Sequence, residues 1–365
     1  MLITEINRLV VMYRNRKVGV LALTPDGSRC VFEYYKEWLV DGFSISPREL
    51  PLRSELFIAK REPFYGNFGV FEDSLPDGYG RYLLNRMLRR HGVDDFALTP
   101  LQRLSIVGSA GMGALSYVPE MLQGEPKSLP KMDELQQMAL DLFGEKADVD
   151  EELLYRSSGN SGGCRPKCLL QDEEGSWIVK FRHTYDPMDM GRMEWRYNDV
   201  ARRCGIDVPD FKLIDDCYFA TKRFDVVDGV RRHVITAAAM LGVSHQEPSL
   251  DYSVLLNLTG WLTQSPKEVE QMFRRMVFNV LAKNRDDHAK NFSFIYSESG
   301  WHLAPAYDLT YSPAGYNGEH ATTINGSGQP SEADMIAVGV AIRMTEKRCR
   351  EIIEECKMHI KDLIW

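Results

Sequence analysis

A polar segment late in the chain concentrates carboxylates, amides and a lysine. Residues 284–291 read Asn-Arg-Asp-Asp-His-Ala-Lys-Asn and precede a β-like run. In phosphoryl transfer, kinases orient the attacking hydroxyl with an Asp and bind magnesium with an Asn five residues later on the same loop. Asp286 and Asn291 have that spacing, whereas Asp287 lies only four residues before Asn291. The pattern therefore predicts Asp286 as a catalytic base and Asn291 as a metal ligand.

A second carboxylate follows in residues 304–310, Ala-Pro-Ala-Tyr-Asp-Leu-Thr. Asp308 is predicted to bind Mg²⁺, a hard cation that prefers oxygen ligands. The mobile ammonium of Lys290 is predicted to neutralise charge on a phosphate oxygen. His288 is expected to shape the loop by a hydrogen bond to the backbone, and Asp287 to add negative charge beside the base.

Three features upstream of the catalytic loop follow one another along the chain in the same order as in kinases. Lys180 lies between apolar residues of a predicted strand, where its ammonium is costly to bury unless it meets an anion such as the phosphates of ATP. Glu194, on the following helix, is its predicted ion-pair partner. A loop rich in Ser and Gly spans 157–163, and its backbone N–H groups could cover phosphates. The predicted nucleotide contacts in this loop are Ser161, Gly162 and Gly163.

Each of these signals is weak alone, because a lone strand lysine is usually an edge residue and a glycine cluster is usually a turn. Their order is more specific. Glycine loop, strand lysine, helix glutamate, catalytic loop and metal carboxylate follow one another along the chain as they do in kinases.

The elements that must position these residues are readable from periodicity. Turn-separated β-rich runs over 9–34 predict an antiparallel meander, and strands at 168–171 and 177–181 predict a hairpin. Helical spacing dominates over 267–282 and 345–363. The pattern predicts an α+β chain in three parts: an N-terminal β-rich subdomain (1–125), an ATP-binding small lobe (126–228) and a mostly helical catalytic lobe (229–365).

Composition excludes several classes of protein. The 365 residues carry a net charge of −8, which argues against bulk electrostatic binding of nucleic acid. An arginine-rich stretch over 81–90 is expected to be a solvated helix face. No apolar run approaches the length of a membrane span, no leader pattern begins the chain, and the cysteines form no C-x-x-C pair. We therefore expect a cytoplasmic protein that does not contact the membrane.

The motifs also resemble those of the HipA-type serine/threonine kinases, toxins of bacterial toxin–antitoxin modules. Residues 284–293 resemble the catalytic loop of that family, and 304–308 its metal-binding segment. Residues 163–167, Gly-Cys-Arg-Pro-Lys, resemble its glycine-loop motif. Residues 221–225 are similar to its hinge, which implies adenine contacts from the backbone of Lys222 and Phe224. Three further segments resemble the amino-terminal subdomain of that family: Leu75-Pro76-Asp77-Gly78, Gly113-Ala114-Leu115 and Pro119-Glu120.

The resemblance implies a protein-kinase-like bilobal fold that transfers the γ-phosphoryl group of ATP, with Mg²⁺, to a protein hydroxyl. It implies a HipB-like antitoxin as a partner, with DNA contacted only through that antitoxin. An aminoacyl-tRNA synthetase is a protein substrate compatible with the resemblance, although no residue of the chain identifies the substrate. Oligomeric state is equally undetermined by the sequence.

Two departures from the family pattern stand out. The serine that the family autophosphorylates falls at Asn160, which leaves Ser158 or Ser161 as the replacement. The Gln-Glu-Asp motif after the hinge is replaced by residues 236–239, Thr-Ala-Ala-Ala. Two alternatives to a protein kinase stay open: a small-molecule kinase of the same fold, and a catalytically silent module that binds an antitoxin.

Overall fold

The computed structural model describes residues 5–122, 130–146, 149–158 and 162–363. The chain divides into two compact units, Met1–Gly191 with Ile214–Ile235 and Arg192–Leu213 with Thr236–Trp365. Both contain helices and strands, as expected for an α+β protein. Within the described ranges, every helix is too short or too polar to cross a bilayer.

The first unit begins with an antiparallel sheet, and the predicted meander is confirmed. Its strands are β1 (Arg8–Tyr13), β2 (Arg16–Leu23), β3 (Cys30–Tyr34), β4 (Phe57–Ile58) and β5 (Leu115–Val118). Their order across the sheet is β4-β3-β2-β1-β5. Alternate residues such as Leu9, Val11 and Leu21 are fully buried, which is the period-two pattern of a sheet with one covered face. Four helices accompany it: α1 (Lys36–Asp41), α2 (Gly69–Glu72), α3 (Gly78–Arg90) and α4 (Pro100–Val107).

The same unit continues with helices α5 (Met132–Phe143) and α6 (Glu151–Ser158) and a second antiparallel sheet. Strand β7 (Gly175–Lys180) pairs with β6 (Lys167–Asp172) on one side and with β9 (Tyr218–Lys222) on the other. The β6–β7 turn forms because Asp172 Oδ1 accepts the N–H groups of Glu174 and Gly175. Further along the chain come β8 (Phe211–Ile214, whose first three residues belong to the second unit), β10 (Val226–Val227), β11 (Val230–Arg231) and β12 (Val234–Thr236, whose last residue belongs to the second unit).

One hydrophobic core joins the amino-terminal part of this unit to the second sheet. Leu83 and Leu88 of α3 belong to the same buried cluster as Trp177 and Val179 of β7. A further link is His233, which is 1% exposed and whose Nε2 donates to the carbonyl of Ile45 (2.7 Å). Burial lowers the pKa of His233 to about 4. The amino-terminal segment and the hairpin sheet therefore fold as one body.

The second unit is mostly helical. Its helices are α7 (Met190–Arg203, whose first two residues belong to the first unit), α8 (Ala237–Leu241), α9 (Tyr252–Thr263), α10 (Pro266–Leu281), α11 (Glu332–Ala341) and α12 (Glu346–Ile360). Helix α10 begins where Ser265 caps it and Pro266 occupies its first turn, and Thr345 caps α12 in the same way. Strands β14 (Ser293–Ser297) and β15 (Gly300–Leu303) form a hairpin, and β13 (Leu250–Asp251) pairs in parallel with β16 (Thr322–Thr323).

Candidate active site

The predicted catalytic loop starts where α10 ends. The backbone N–H of Asn284 donates to Asn279 in the last turns of α10, and its side chain donates to Asn279 Oδ1 (3.0 Å). The same Nδ2 lies 3.3 Å from the carbonyl oxygen of Asp308. Asn284 is 3% exposed, so this side chain joins the helix end, the loop and the Asp308 segment from within the core of the unit.

Asp286 and Asn291 are brought together by a hydrogen bond between them. The Nδ2 group of Asn291 donates to the carbonyl oxygen of Asp286 (2.7 Å), while the carboxylate of Asp286 is 63% exposed. With Nδ2 engaged, Oδ1 is the atom of the Asn291 amide that can ligate a cation. The loop therefore presents an accessible carboxylate and an amide whose orientation is fixed.

The side chain of Asp287 has a different role from the one expected of it. Its side chain is fully buried, and Oδ2 accepts hydrogen bonds from Tyr252 Oη and His320 Nδ1, each at 2.9 Å. Oδ1 accepts the N–H of Thr322 (3.3 Å), and the Thr322 hydroxyl donates to the Asp287 carbonyl (2.5 Å). Burial, and then the Asp287 carboxylate, raise the pKa of Tyr252. Asp287 therefore anchors the loop to the interior, a role that the expectation of added negative charge beside the base did not include.

His288 lies against the predicted base. Its Nε2 is 3.8 Å from Asp286 Oδ1, and its Nδ1 is buried without a hydrogen-bond partner among the described residues. The expected hydrogen bond from this ring to the backbone is thus not formed there. The ring instead places its outward nitrogen beside an exposed carboxylate.

The Asp308 segment is tied to the catalytic loop by a tyrosine. The Tyr307 hydroxyl donates to the carbonyl of Lys290 (2.6 Å) and lies 2.5 Å from the hydroxyl of Ser293. Asp308 has a φ of +54°, a left-handed conformation that residues other than glycine adopt rarely and often at functional sites. Loop and segment are therefore held in fixed register, with Lys290 inside a short 3₁₀ turn, Ala289–Asn291.

A cation could be held by Asn291 and Asp308. Magnesium usually takes one or two protein carboxylates or amides and completes its shell with water and phosphate oxygens. The described residues contain no group of three or more His, Cys, Asp or Glu side chains arranged around one point. This donor set fits a metal that arrives with a nucleotide rather than a metal caged by protein alone.

Apart from Glu194, the remaining predicted nucleotide contacts belong to the first unit. Gly163 has a φ of +97°, which favours glycine, and the Lys167 ammonium hydrogen-bonds to the carbonyl of Gly162. Ser161 lies outside the described residues. The buried Lys167, at the start of β6, therefore holds the backbone at the end of the glycine loop in place.

Lys180 lies on a central strand. Its neighbours across the ladder are Lys167 on β6 and Phe219 on β9, and its ammonium is 5.8 Å from the Phe219 ring centre. The alternative of a solvated edge residue is therefore excluded. Glu194, its predicted partner, is 2% exposed on α7 in the second unit, and the pairing of the two stays a prediction.

The hinge segment continues β9. The N–H of Arg223 donates to Ser176 on β7 (2.8 Å), so by strand alternation the backbone groups of Lys222 face away from β7. The ammonium of Lys222 lies 5.9 Å from the Trp177 ring centre. Phe224 follows in a turn closed between Arg223 and Val226. The adenine contacts assigned to Lys222 and Phe224 stay predictions.

Arginines of the arginine-rich stretch also make contacts within the fold, although Arg81, Arg89 and Arg90 are exposed, as expected of a solvated helix face. Glu151, 2% exposed at the start of α6, receives Arg86 at 3.0 Å and Arg90 at 2.6 Å from α3. Arg81 lies 3.8 Å from the buried Asp95. Tertiary contacts that no local pattern reveals therefore use these charges.

Sequence reasoning missed the interior partners of the loop. Tyr252 and His320 lie 35 and 33 residues from Asp287 and belong to no motif near it. The one available signal was a second carboxylate next to the predicted base, which was expected only to add negative charge there. Tyr307 was noticed only as a neighbour of Asp308.

The fold as a whole resembles that of a solved protein. The chain matches the structure titled "Shewanella oneidensis MR-1 Toxin Antitoxin System HipA, HipB and its operator DNA complex" with a TM-score of 0.74 and 19% identity, over 97% of this chain and 89% of that one. The fold class is therefore the protein-kinase-like bilobal class, with an N-terminal β-rich subdomain and a mostly helical C-terminal part.

Two family models then identify the family. The HipA-like C-terminal domain matches residues 159–364, and the HipA N-terminal domain matches residues 9–118. Since the first covers more than half of the chain, the chain belongs to the HipA family, as the resemblance of its motifs predicted.

Two relatives from Sinorhizobium fredii have names that contain the word kinase. Y4dM is 31% identical over 169 residues, a match that covers 41% of this chain and 41% of Y4dM. Y4mE is 27% identical over 315 residues, which cover 76% of this chain and 71% of Y4mE. The match to Y4dM thus spans about two fifths of that relative, and the match to Y4mE most of it.

Proposed function

We propose that the chain is an ATP-dependent protein serine/threonine kinase of the HipA toxin type. The observation that carries the proposal is the contrast between two adjacent carboxylates. Asp286 is exposed beside an amide of fixed orientation, whereas Asp287 is buried and fully hydrogen-bonded. A general base must be reachable by a substrate hydroxyl, and an anchor must not be. The kinase names of two relatives support the same reading.

In this proposal Asp286 accepts the proton of the acceptor hydroxyl and orients its oxygen. Bound ATP and Mg²⁺ supply the phosphoryl group and the charge that offsets its oxygens. Asn291 and Asp308 would hold the cation. The ammonium of Lys290 would offset the negative charge that develops on a phosphate oxygen. Lys180, Ser161, Gly162 and Gly163 are assigned to the phosphates, Glu194 to an ion pair with Lys180, and Lys222 and Phe224 to the adenine.

The partner proposed for the chain is a HipB-like antitoxin in the cytoplasm. The related solved structure is titled as a complex of HipA, HipB and operator DNA. Arg86 and Arg90, which could have formed a basic patch, are engaged with Glu151 in this chain. The net charge of −8 further favours contact with DNA through a partner rather than directly.

The test compares wild type with Asp286→Asn, which removes the base and keeps the shape. Asp210→Asn serves as the control, since Asp210 is an exposed carboxylate (71%) in the same unit. With ATP and Mg²⁺, we expect wild type and Asp210→Asn to phosphorylate a Ser/Thr peptide library, and Asp286→Asn to be slower by about 10²–10⁴-fold. Equal rates in Asp286→Asn would remove Asp286 as the base.

The acceptor class is tested in the same assay. A parallel panel of small hydroxylated acceptors distinguishes a protein kinase from a small-molecule kinase of the same fold. Transfer only to the small acceptors would replace the proposal with that alternative. ATP binding without transfer to any acceptor, and without self-modification, would favour a silent binding module.

A further inference from the structure

The amino-terminal part of the chain contacts both segments to which the proposed function assigns the nucleotide. Asp77 immediately precedes α3, where an Asp would ordinarily cap its own helix, yet its side chain makes no capping hydrogen bond. Asp77 Oδ1 instead accepts the backbone N–H of Gly163 at 2.6 Å. The N–H of Tyr79 donates in turn to the carbonyl of Gly163 (3.0 Å). Both backbone polar groups of this glycine are therefore held by residues 77–79.

The contact is close enough to constrain the residue types on both sides. A Cβ on Gly78 would lie 2.4 Å from the Gly163 carbonyl oxygen, and one on Gly162 would lie 3.0 Å from Asp77 Oδ1. Two backbones thus meet with no room for a side chain at Gly78. The other flank of the loop is held by the same helix, because Arg86 and Arg90 of α3 bind Glu151 of α6.

The hinge is held in a parallel way. Asp225 is 1% exposed, and its Oδ2 accepts the N–H of Gly113 at 2.8 Å and the guanidinium of Arg223 at 2.7 Å. The guanidinium of Arg231 donates to the carbonyls of Ser109 (2.6 Å) and Gly111. A second segment of the amino-terminal region, 109–113, therefore fixes the chain just after Lys222.

We propose that Asp77 is a positioning residue for nucleotide binding: by its bond to Gly163 it sets the end of the glycine loop. The inference rests on the proposed function, because it assumes that this loop covers phosphates. A carboxylate that accepts the Gly163 N–H fixes the direction of the loop backbone, and the other N–H groups of the loop are useful to an anion only if that direction is fixed. The amino-terminal region is then part of the nucleotide site rather than a separate module.

The experiment measures ATP affinity by calorimetry and steady-state kinetics in Asp77→Ala and Asp77→Asn. Asn keeps an acceptor for Gly163, whereas Ala does not. Loss of one charge-assisted hydrogen bond changes an equilibrium constant by about tenfold or more. We therefore expect the Kd and KM for ATP to rise about tenfold in Asp77→Ala and to stay within about threefold of wild type in Asp77→Asn. The KM for the acceptor should not change. Asp94→Ala is the matched control, because Asp94 is an exposed cap residue that accepts Phe96 N–H in the same region.

A merely structural role predicts a different pattern: less active protein, a lower kcat and an unchanged KM for ATP. That pattern, or wild-type affinity in Asp77→Ala, would overturn the proposal. If Asp77→Ala does not fold, the ATP affinity of Asp77→Glu tests the proposal instead. The longer side chain of Glu keeps the charge but displaces the loop, so we expect weaker binding of ATP. Wild-type ATP affinity in Asp77→Glu would then overturn it.

Failure of the proposed function gives a separate signature. Hydrogen exchange without nucleotide reports whether the Gly163 amide loses protection in Asp77→Ala but not in Asp94→Ala. Wild type that binds no ATP would refute the nucleotide site and with it this role of Asp77, even where exchange shows the bond. Wild type that binds ATP, with Gly163 protection unchanged in Asp77→Ala, would refute the positioning alone.

Discussion

Neutralising Asp286 or Asp287 is expected to have opposite effects, although the two residues are adjacent. Asp287→Asn keeps the volume of a side chain that is fully buried, but an amide has one acceptor oxygen where three donors converge. One donor therefore loses its partner and faces an N–H₂ group. Asp286→Asn changes a carboxylate that is 63% exposed.

The magnitude follows from these contacts. Losing a hydrogen bond to a charged group costs about 1.5–3 kcal/mol, and a buried donor left unsatisfied costs about 1–3 kcal/mol more. The sum is close to the roughly 3–5 kcal/mol expected when one partner of a buried ionic contact is removed. We expect Asp287→Asn to lose about 3 kcal/mol of unfolding free energy, or roughly 6–12 °C in melting temperature for a unit of this size.

Asp286→Asn should remain within about 0.5 kcal/mol of wild type, as exposed substitutions usually do, while losing phosphoryl transfer. Urea and thermal unfolding followed by far-UV circular dichroism measure stability, and ATP turnover measures activity. Comparable destabilisation in both variants would refute the reasoning, and so would wild-type stability in Asp287→Asn. The first result would mean that Asp286 also stabilises the fold, and the second that the loop is not anchored through Asp287.

Three further outcomes are expected. Burial lowers the pKa of His233 to about 4 from an ordinary value near 6.5, so as the pH falls the unfolded chain binds this proton before the folded one does. The contribution of His233 to stability is therefore complete above about pH 6.5 and falls by up to about 3 kcal/mol toward pH 4. Urea titrations of His233→Gln should lack this pH-dependent component. If ATP modifies the glycine-loop region, peptide mapping should find the phosphate on Ser161 and not on Ser158, whose 1% exposed hydroxyl donates within its own helix; phosphate on Ser158 would contradict this. Tyr307→Phe should cost about 1–2 kcal/mol and lower kcat, since it leaves the Lys290 carbonyl without its donor, and unchanged unfolding curves and turnover would argue against that coupling.

The elements that sequence predicted well are those whose signals are local. The hairpin strands expected at 168–171 and 177–181 are observed at Lys167–Asp172 and Gly175–Lys180, because alternation and the Asp172 turn lie within one short window. The helix expected over 267–282 is observed at Pro266–Leu281 for the same reason, with its cap and proline adjacent.

The contacts that sequence could not predict join distant positions. Asp77 and Gly163 are 86 residues apart, and nothing in either neighbourhood names the other. The burial of Asp287 was not predicted because two adjacent aspartates have the same hydropathy. In an extended segment, however, successive side chains point to opposite sides. The catalytic roles assigned to Asp286, Asn291 and Asp308 stay predictions.

The interior bonding of Asp287 has a consequence for the order of events during synthesis. His320 is added to the chain 33 residues after Asp287, which at about 5–20 residues per second is a delay of roughly 2 to 7 seconds. Until His320 and Thr322 have left the ribosome, the carboxylate lacks two of its three donors, and the loop lacks this part of its anchor. A nascent chain is therefore expected to lack its proposed activity until the segment that contains His320 and Thr322 has emerged from the ribosome.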